Sequence, residues 1–147
     1  MDTSEKERML YRSVGTLHYE ILGNSYKLTV EVDKGIALFY RAMIPKYYRV
    51  VPQKYPPHIS VVRKEIPVNM DMWGKHEGEK VEFFYDPDLQ CDHQYWWINV
   101  FSVRLEEIRK ELGLPVSSPY TLPPTGFDKC FHSTIGNQKH LGWCYPF

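Results

Sequence analysis

Pro56-Pro57-His58-Ile59-Ser60-Val61-Val62-Arg63 reads as a proline loop running into a β-branched strand. Side chains alternate along a strand, and positions i and i+2 lie ~6.5–7 Å apart on one face. His58 and Ser60 therefore point one way, and Ile59 and Val61 point into a core. Upstream, Pro45 ends a helix over 34–43, which Asp33 caps and Ile36, Phe39, Tyr40 and Met43 mark by their three-to-four spacing. Before it, Gly15–Leu22 and Tyr26–Val32 alternate about Gly23-Asn24-Ser25, a β-hairpin signal. Downstream, 65–79 reads as a loop and Val81–Tyr85 as a strand.

The same order then returns. Tyr95–Phe101 is a strand, and 102–112 a helix capped by Ser102, marked by Val103, Ile108 and Leu112 and closed by Gly113. A loop with Pro115, Pro119, Pro123 and Pro124 delivers Phe131-His132-Ser133-Thr134-Ile135-Gly136, again a strand. His132 and Thr134 share a face opposite Ser133 and Ile135. Strand, helix, proline loop and histidine strand thus occur twice. The expected fold is α+β and bilobal, with two pseudo-repeated strand-helix-strand halves whose sheets surround a central cleft.

Composition narrows the function. The chain has 147 residues, with 18 Lys+Arg against 18 Asp+Glu, which fits a single domain over 1–147 with a real core. A long duplex footprint needs a strongly basic surface, so double-stranded nucleic acid is not an expected partner. Three cysteines without Cys-x-x-Cys spacing suggest neither a disulfide framework nor a zinc site. No apolar run approaches a membrane span and the first residues form no signal-peptide core, so the expectation is a cytoplasmic protein without a membrane partner. Tyr 11, Trp 4 and Phe 7 leave aromatic side chains for stacking on a planar ligand.

His58-Ile59-Ser60 and His132-Ser133-Thr134 are the residues that can carry chemistry. A shuffled chain of this composition holds about 0.6 His-x-Ser/Thr triplets, so context must add weight. Both stand in strands after proline loops and precede a β-branched residue, which His18, His76, His93 and His140 do not. Two imidazoles and two hydroxyls converging on one spot suit a phosphodiester. One imidazole takes a proton from the attacking oxygen and the other protonates the departing one, while the hydroxyls donate to non-bridging oxygens. Imidazoles titrate near neutral pH, so this chemistry implies no cofactor and no metal.

The paired motifs, about seventy residues apart on two β/α halves, resemble the two-histidine (2H) phosphoesterase superfamily. Its members include LigT-like RNA enzymes, RNA-repair cyclic phosphodiesterases, viral 2′,5′-oligoadenylate hydrolases and phage nucleases acting on cyclic oligonucleotides of antiviral signalling. The resemblance spans about residues 15–136. It implies a bilobal fold with both motifs in a central cleft, His58 and His132 as the acid–base pair, and Ser60 and Thr134 binding phosphate. Residues outside the motifs match no single branch. Zero net charge and many aromatics favour a small signalling nucleotide, cyclic or 2′,5′-linked, over an RNA 2′,3′-cyclic phosphate end.

Further candidates surround the motifs. Arg63 and Lys64 follow the first one and can reach a phosphate, with a solvated strand end as the alternative. Tyr95, Trp97 and Asn99 share one strand face and Trp96, Ile98 and Val100 the other; if the first face is open, Trp97 stacks on a base. Tyr11 and Trp143 are candidate lids near the chain ends. Cys130 shares the face of His132 and is a candidate cleft residue. Arg104, Glu106, Glu107, Arg109, Lys110 and Glu111 read as a solvated helix face. Two other classes compete: a nucleotide-binding sponge without turnover, and a small interaction protein whose histidine strands would lie more than ~15 Å apart.

Overall fold

In the computed structural model the described residues are 9–116, 118, 121, 123–124, 127 and 129–141. Strand β1 (Tyr11–Leu22) turns into β2 (Ser25–Glu31) through Gly23-Asn24, with Leu22 opposite Ser25. Gly23 has φ +63°, and a glycine with positive φ at the first turn position fits the right-handed twist of a tight hairpin. Asp33 then caps α1 (Lys34–Ala42) by accepting from the Gly35 amide at 2.8 Å. Next come β3 (His58–Arg63), β4 (Lys80–Tyr85), the two-residue β5 (Gln90–Cys91) and β6 (Tyr95–Phe101). Helix α2 (Val103–Glu111) starts on Ser102, whose Oγ accepts from the Leu105 amide. It ends in a Schellman motif: Gly113, at φ +79°, donates to Lys110 and Leu114 donates to Arg109, each at 2.9 Å. Strand β7 (Phe131–Asn137) follows, and 3₁₀ turns lie at Lys46–Tyr48, Met70–Met72 and Lys139–Leu141.

The fold is α+β, and the strands form one seven-stranded sheet in the order β4-β1-β2-β3-β7-β6-β5. Every strand pairing in it is antiparallel. Phe84↔Phe101 and Tyr85↔Val100 also pair β4, at one end of the row, with β6, the strand next to the other end. The expectation of separate sheets is corrected here. β3 and β7 bond directly at Ile59↔Ser133, so the two halves merge into a single sheet with the seam at its centre. The expected repeat is visible as β2-α1-β3 and β6-α2-β7, and it goes further than element order. In β3, Thr29↔Ser60 is followed by Leu28↔Val62, so Val61 is an extra, bulged residue. In β7, Trp97↔Thr134 is followed by Trp96↔Gly136, so Ile135 is extra. Each bulge falls at the same distance after its histidine.

The helices cross over. Leu105, Ile108 and Leu112 of the second half pack with Leu17, Leu28, Val30, Ile59, Val61 and Val62 of the first. Ala37, Tyr40 and Ile44 of the first half pack with Trp96, Ile98 and Ile135 of the second. Each helix also sends an arginine to a bulge carbonyl of the opposite half: Arg109 Nη1 donates to Val61 O and Arg41 Nη1 to Ile135 O, both at 2.7 Å. The reading of Arg109 as a solvated residue is therefore wrong. It is wholly buried and forked onto Glu65 at 2.9 and 2.8 Å, with a further bond from Nε to Pro115 O. Arg104, on the same helix, is held by the Glu79 carboxylate at 2.6 and 3.0 Å. No helix among the described residues is long and apolar enough to cross a membrane.

Candidate active site

The single bridge Ile59↔Ser133 sets the geometry. Continued in antiparallel register, it brings His58 beside Thr134 and Ser60 beside His132. Ile59 and Ser133, with 0% and 4% exposure, point to the core, so the other four side chains share the open face. In that register they mark out four corners, with the imidazoles on one diagonal. The hydroxyls hold the other corners. All four line one cavity of about 760 Å³. A phosphorus atom above the centre would have an imidazole on either side, the arrangement an in-line displacement with separate base and acid requires. The histidine strands are hydrogen-bonded neighbours, so the wide separation that would favour an interaction protein is absent.

The two imidazoles sit in different surroundings. His58 Nδ1 lies 2.9 Å from Pro56 O, and a carbonyl only accepts, so Nδ1 carries the proton and Nε2 is left for exchange. The proline loop thus fixes both the approach of the strand and the tautomer. His132 is half-buried, with its ring centroid 5.9 Å from that of Trp97. Burial, then the nearby charges of Arg63 and His58, hold its pKa below the ordinary imidazole value. That shift favours the neutral imidazole.

The bulge decides the place of Arg63. Strict alternation from His58 would put Arg63 on the side of Ile59 and Val61; the extra residue at Val61 returns it to the cavity face beside His58 and Ser60. Val62 joins the core instead, at 0% exposure. On β6 the open alternative resolves: Trp96, Ile98 and Val100 are buried, and Tyr95 and Trp97 line the cavity. Asn99 turns out buried against Cys130, whose thiol burial pushes up to about 11; Cys130 does not line the cavity, contrary to expectation.

Tyr11 does not line this cavity either. It sits on β1 with its ring 5.8 Å from that of Tyr85, because β1 begins at Tyr11 and pairs there with β4. Trp143 lies outside the described residues. Residues the sequence reading passed over also line the cavity: Tyr26, Lys27, Tyr55 and Lys139. Lys27 carried a usable signal, since it alternates with the apolar Leu28 and Val30 and must face away from the core. No protein-family model, curated protein or solved structure matches this chain.

Proposed function

We propose that the protein is a metal-independent phosphodiesterase of the two-histidine type, hydrolysing a phosphodiester in a small nucleotide. A cyclic oligonucleotide or a 2′,5′-linked signalling nucleotide is the preferred substrate. The observation that carries this reading is the diagonal placement of His58 and His132 over one cavity, with Ser60 and Thr134 between them. His132, in its neutral form, takes the proton of the attacking water. His58, protonated on Nε2 in the reactive form, gives a proton to the departing oxygen. The bond from the attacking oxygen to phosphorus forms as the bond to the leaving oxygen breaks. Ser60 and Thr134 donate to the non-bridging oxygens as their charge grows. Tyr95 and Trp97 offer faces to a base.

The test is turnover in excess EDTA on a panel of cyclic di- and trinucleotides, 2′,5′-oligoadenylate and an RNA with a 2′,3′-cyclic phosphate end. The expected result is cleavage of one substrate class by wild type, with His58→Ala and His132→Ala each slower by about 10²–10⁴-fold. Preference for the RNA end would move the assignment to RNA processing or repair. Stoichiometric retention of a nucleotide without product would make the protein a sponge. Full activity in either histidine variant would overturn the mechanism.

A further inference from the structure

The internal repeat supplies its own control, because each residue of one half has a counterpart in the other. Arg63 stands five residues after His58 and faces Lys27 directly across β2 and β3. Asn137 stands five after His132 and faces Tyr95 across β6 and β7. The next pair inward is Thr29 with Ser60 in the first half and Trp97 with Thr134 in the second. On the paired strands, the first half therefore presents two cations to the cavity where the second presents Tyr95 and Trp97, with Lys139 beside Tyr95.

The cationic end is unusual on its own terms. Like charges directly opposite on paired strands are destabilising. Glu20 faces Lys27 from the other side, across β1 and β2, without closing an ion pair to it, and no carboxylate faces Arg63 across β3. Neither has an ion-pair partner among the described residues, nor has Lys64 beside them. Lys27 instead lies 5.6 Å from the centroid of the Tyr55 ring. Lys64 is a non-glycine residue at φ +57°, held between cavity-facing Arg63 and Glu65, which is locked to buried Arg109. Its counterpart Gln138 is buried and spent on the backbone of Tyr48 and the indole of Trp96. At the aromatic end, Lys139 lies 5.0 Å from the centroid of the Tyr95 ring, and Asp92 accepts from the amides of Gln94 and Tyr95.

We infer that Lys27, Arg63 and Lys64 form a second phosphate site beside the histidine pair, so that the substrate carries at least two phosphates: one cleaved, one held. This rests on the phosphodiesterase reading and narrows it, because a nucleotide with a single phosphate leaves the three cations unpaired. The ligand lies along the cavity with its base over Trp97 and Tyr95 and its second phosphate toward the end of β3.

The test compares the dinucleoside monophosphate ApA with forms phosphorylated at either end, pApA and ApAp, by calorimetry on the His132→Ala chain, in which turnover is expected to be slow. One phosphorylated form should bind about tenfold or more tighter than ApA. That advantage should shrink toward unity in a background that adds Lys27→Gln and Arg63→Gln, and the slope of log affinity against log salt should fall by ~1. Lys64→Asn, at an exposed position, should reduce the advantage in part and serves if the double variant does not fold. Equal affinities for all three ligands, or an advantage untouched by both variants, would overturn the second site. Hydrolysis of ApA by wild type without any phosphate preference would remove this site and leave the phosphodiesterase. Preferential binding without hydrolysis of any substrate would do the reverse, and binding of none would overturn the second site while the turnover panel decides the phosphodiesterase.

Discussion

Arg109 reaches from the second half of the chain to hold the carbonyl of Val61 in the first, at 2.7 Å. Val61 is the bulged residue that turns Arg63 toward the cavity, so a buried cation on the far side of the sheet supports the geometry of the site. Arg41 does the same for Ile135 in the opposite sense.

Arg109→Met should therefore be among the most damaging single changes outside the cavity. It strands the Glu65 carboxylate and the Val61 carbonyl, and breaking a buried pair from one side costs about 3–5 kcal/mol. Urea unfolding measures it through the midpoint at unchanged slope; a loss under ~1 kcal/mol would mean the pair is relieved by water.

The activity should report the low pKa of His132. As the base of the proposed mechanism it must be neutral, so kcat/KM should rise with pH through a value below 6.5 and level off above it on that limb. Arg63→Gln removes one cause of the depression, so the limb should move to higher pH, as should the NMR titration of the His132 ring. The same shift affects stability. The unfolded imidazole gains its proton at higher pH than the folded one, so the unfolded chain binds more protons between the two values. His132 therefore lowers stability as pH falls through that window and contributes nothing above it.

Trp97→Ala should weaken substrate binding by ~1–3 kcal/mol if a base stacks there. The loss should fall mainly on KM, and Trp97→Phe should restore part of it. A loss confined to kcat would instead point to Trp97 acting through the ring of His132, 5.9 Å away.

Gly113→Ala should cost more than Gly23→Ala. Both glycines have positive φ, worth about 1–2 kcal/mol against an L side chain. A Cβ at Gly113 would also fall 2.7 Å from Val68 Cβ, whereas nothing lies within 4 Å at Gly23. Thermal melts of the two variants separate the backbone cost from the clash.

Much of this was legible in the residues. The histidine strand His58–Arg63 and the strand Tyr95–Phe101 occupy the expected bounds, and Asp33, Ser102 and Gly113 cap the helices as their types suggest. Local chemistry determines those features. The bulges at Val61 and Ile135 were hidden, because an extra residue on one strand shows only against the register of its partner. The burial of Arg109 was hidden for a related reason: its partners Glu65 and the Val61 carbonyl lie far along the chain, and an arginine amid Glu and Lys has the composition of an exposed face. Of the stacking candidates, Trp97 could be placed by period-two alternation once one face of its strand was known to be buried, and Tyr11 could not, because its surroundings depend on β4.

The exchange of helices between halves makes each half the scaffold of the other. Without α2 the strands β1–β3 would bare Leu17, Leu28 and Ile59, and without α1 the strands β6 and β7 would bare Trp96 and Ile135. Loosening one repeat uncovers the core of its neighbour. Contacts so distant in sequence are expected to slow folding for a chain of this size and to make it cooperative. The two histidine strands are thus expected to take their places together.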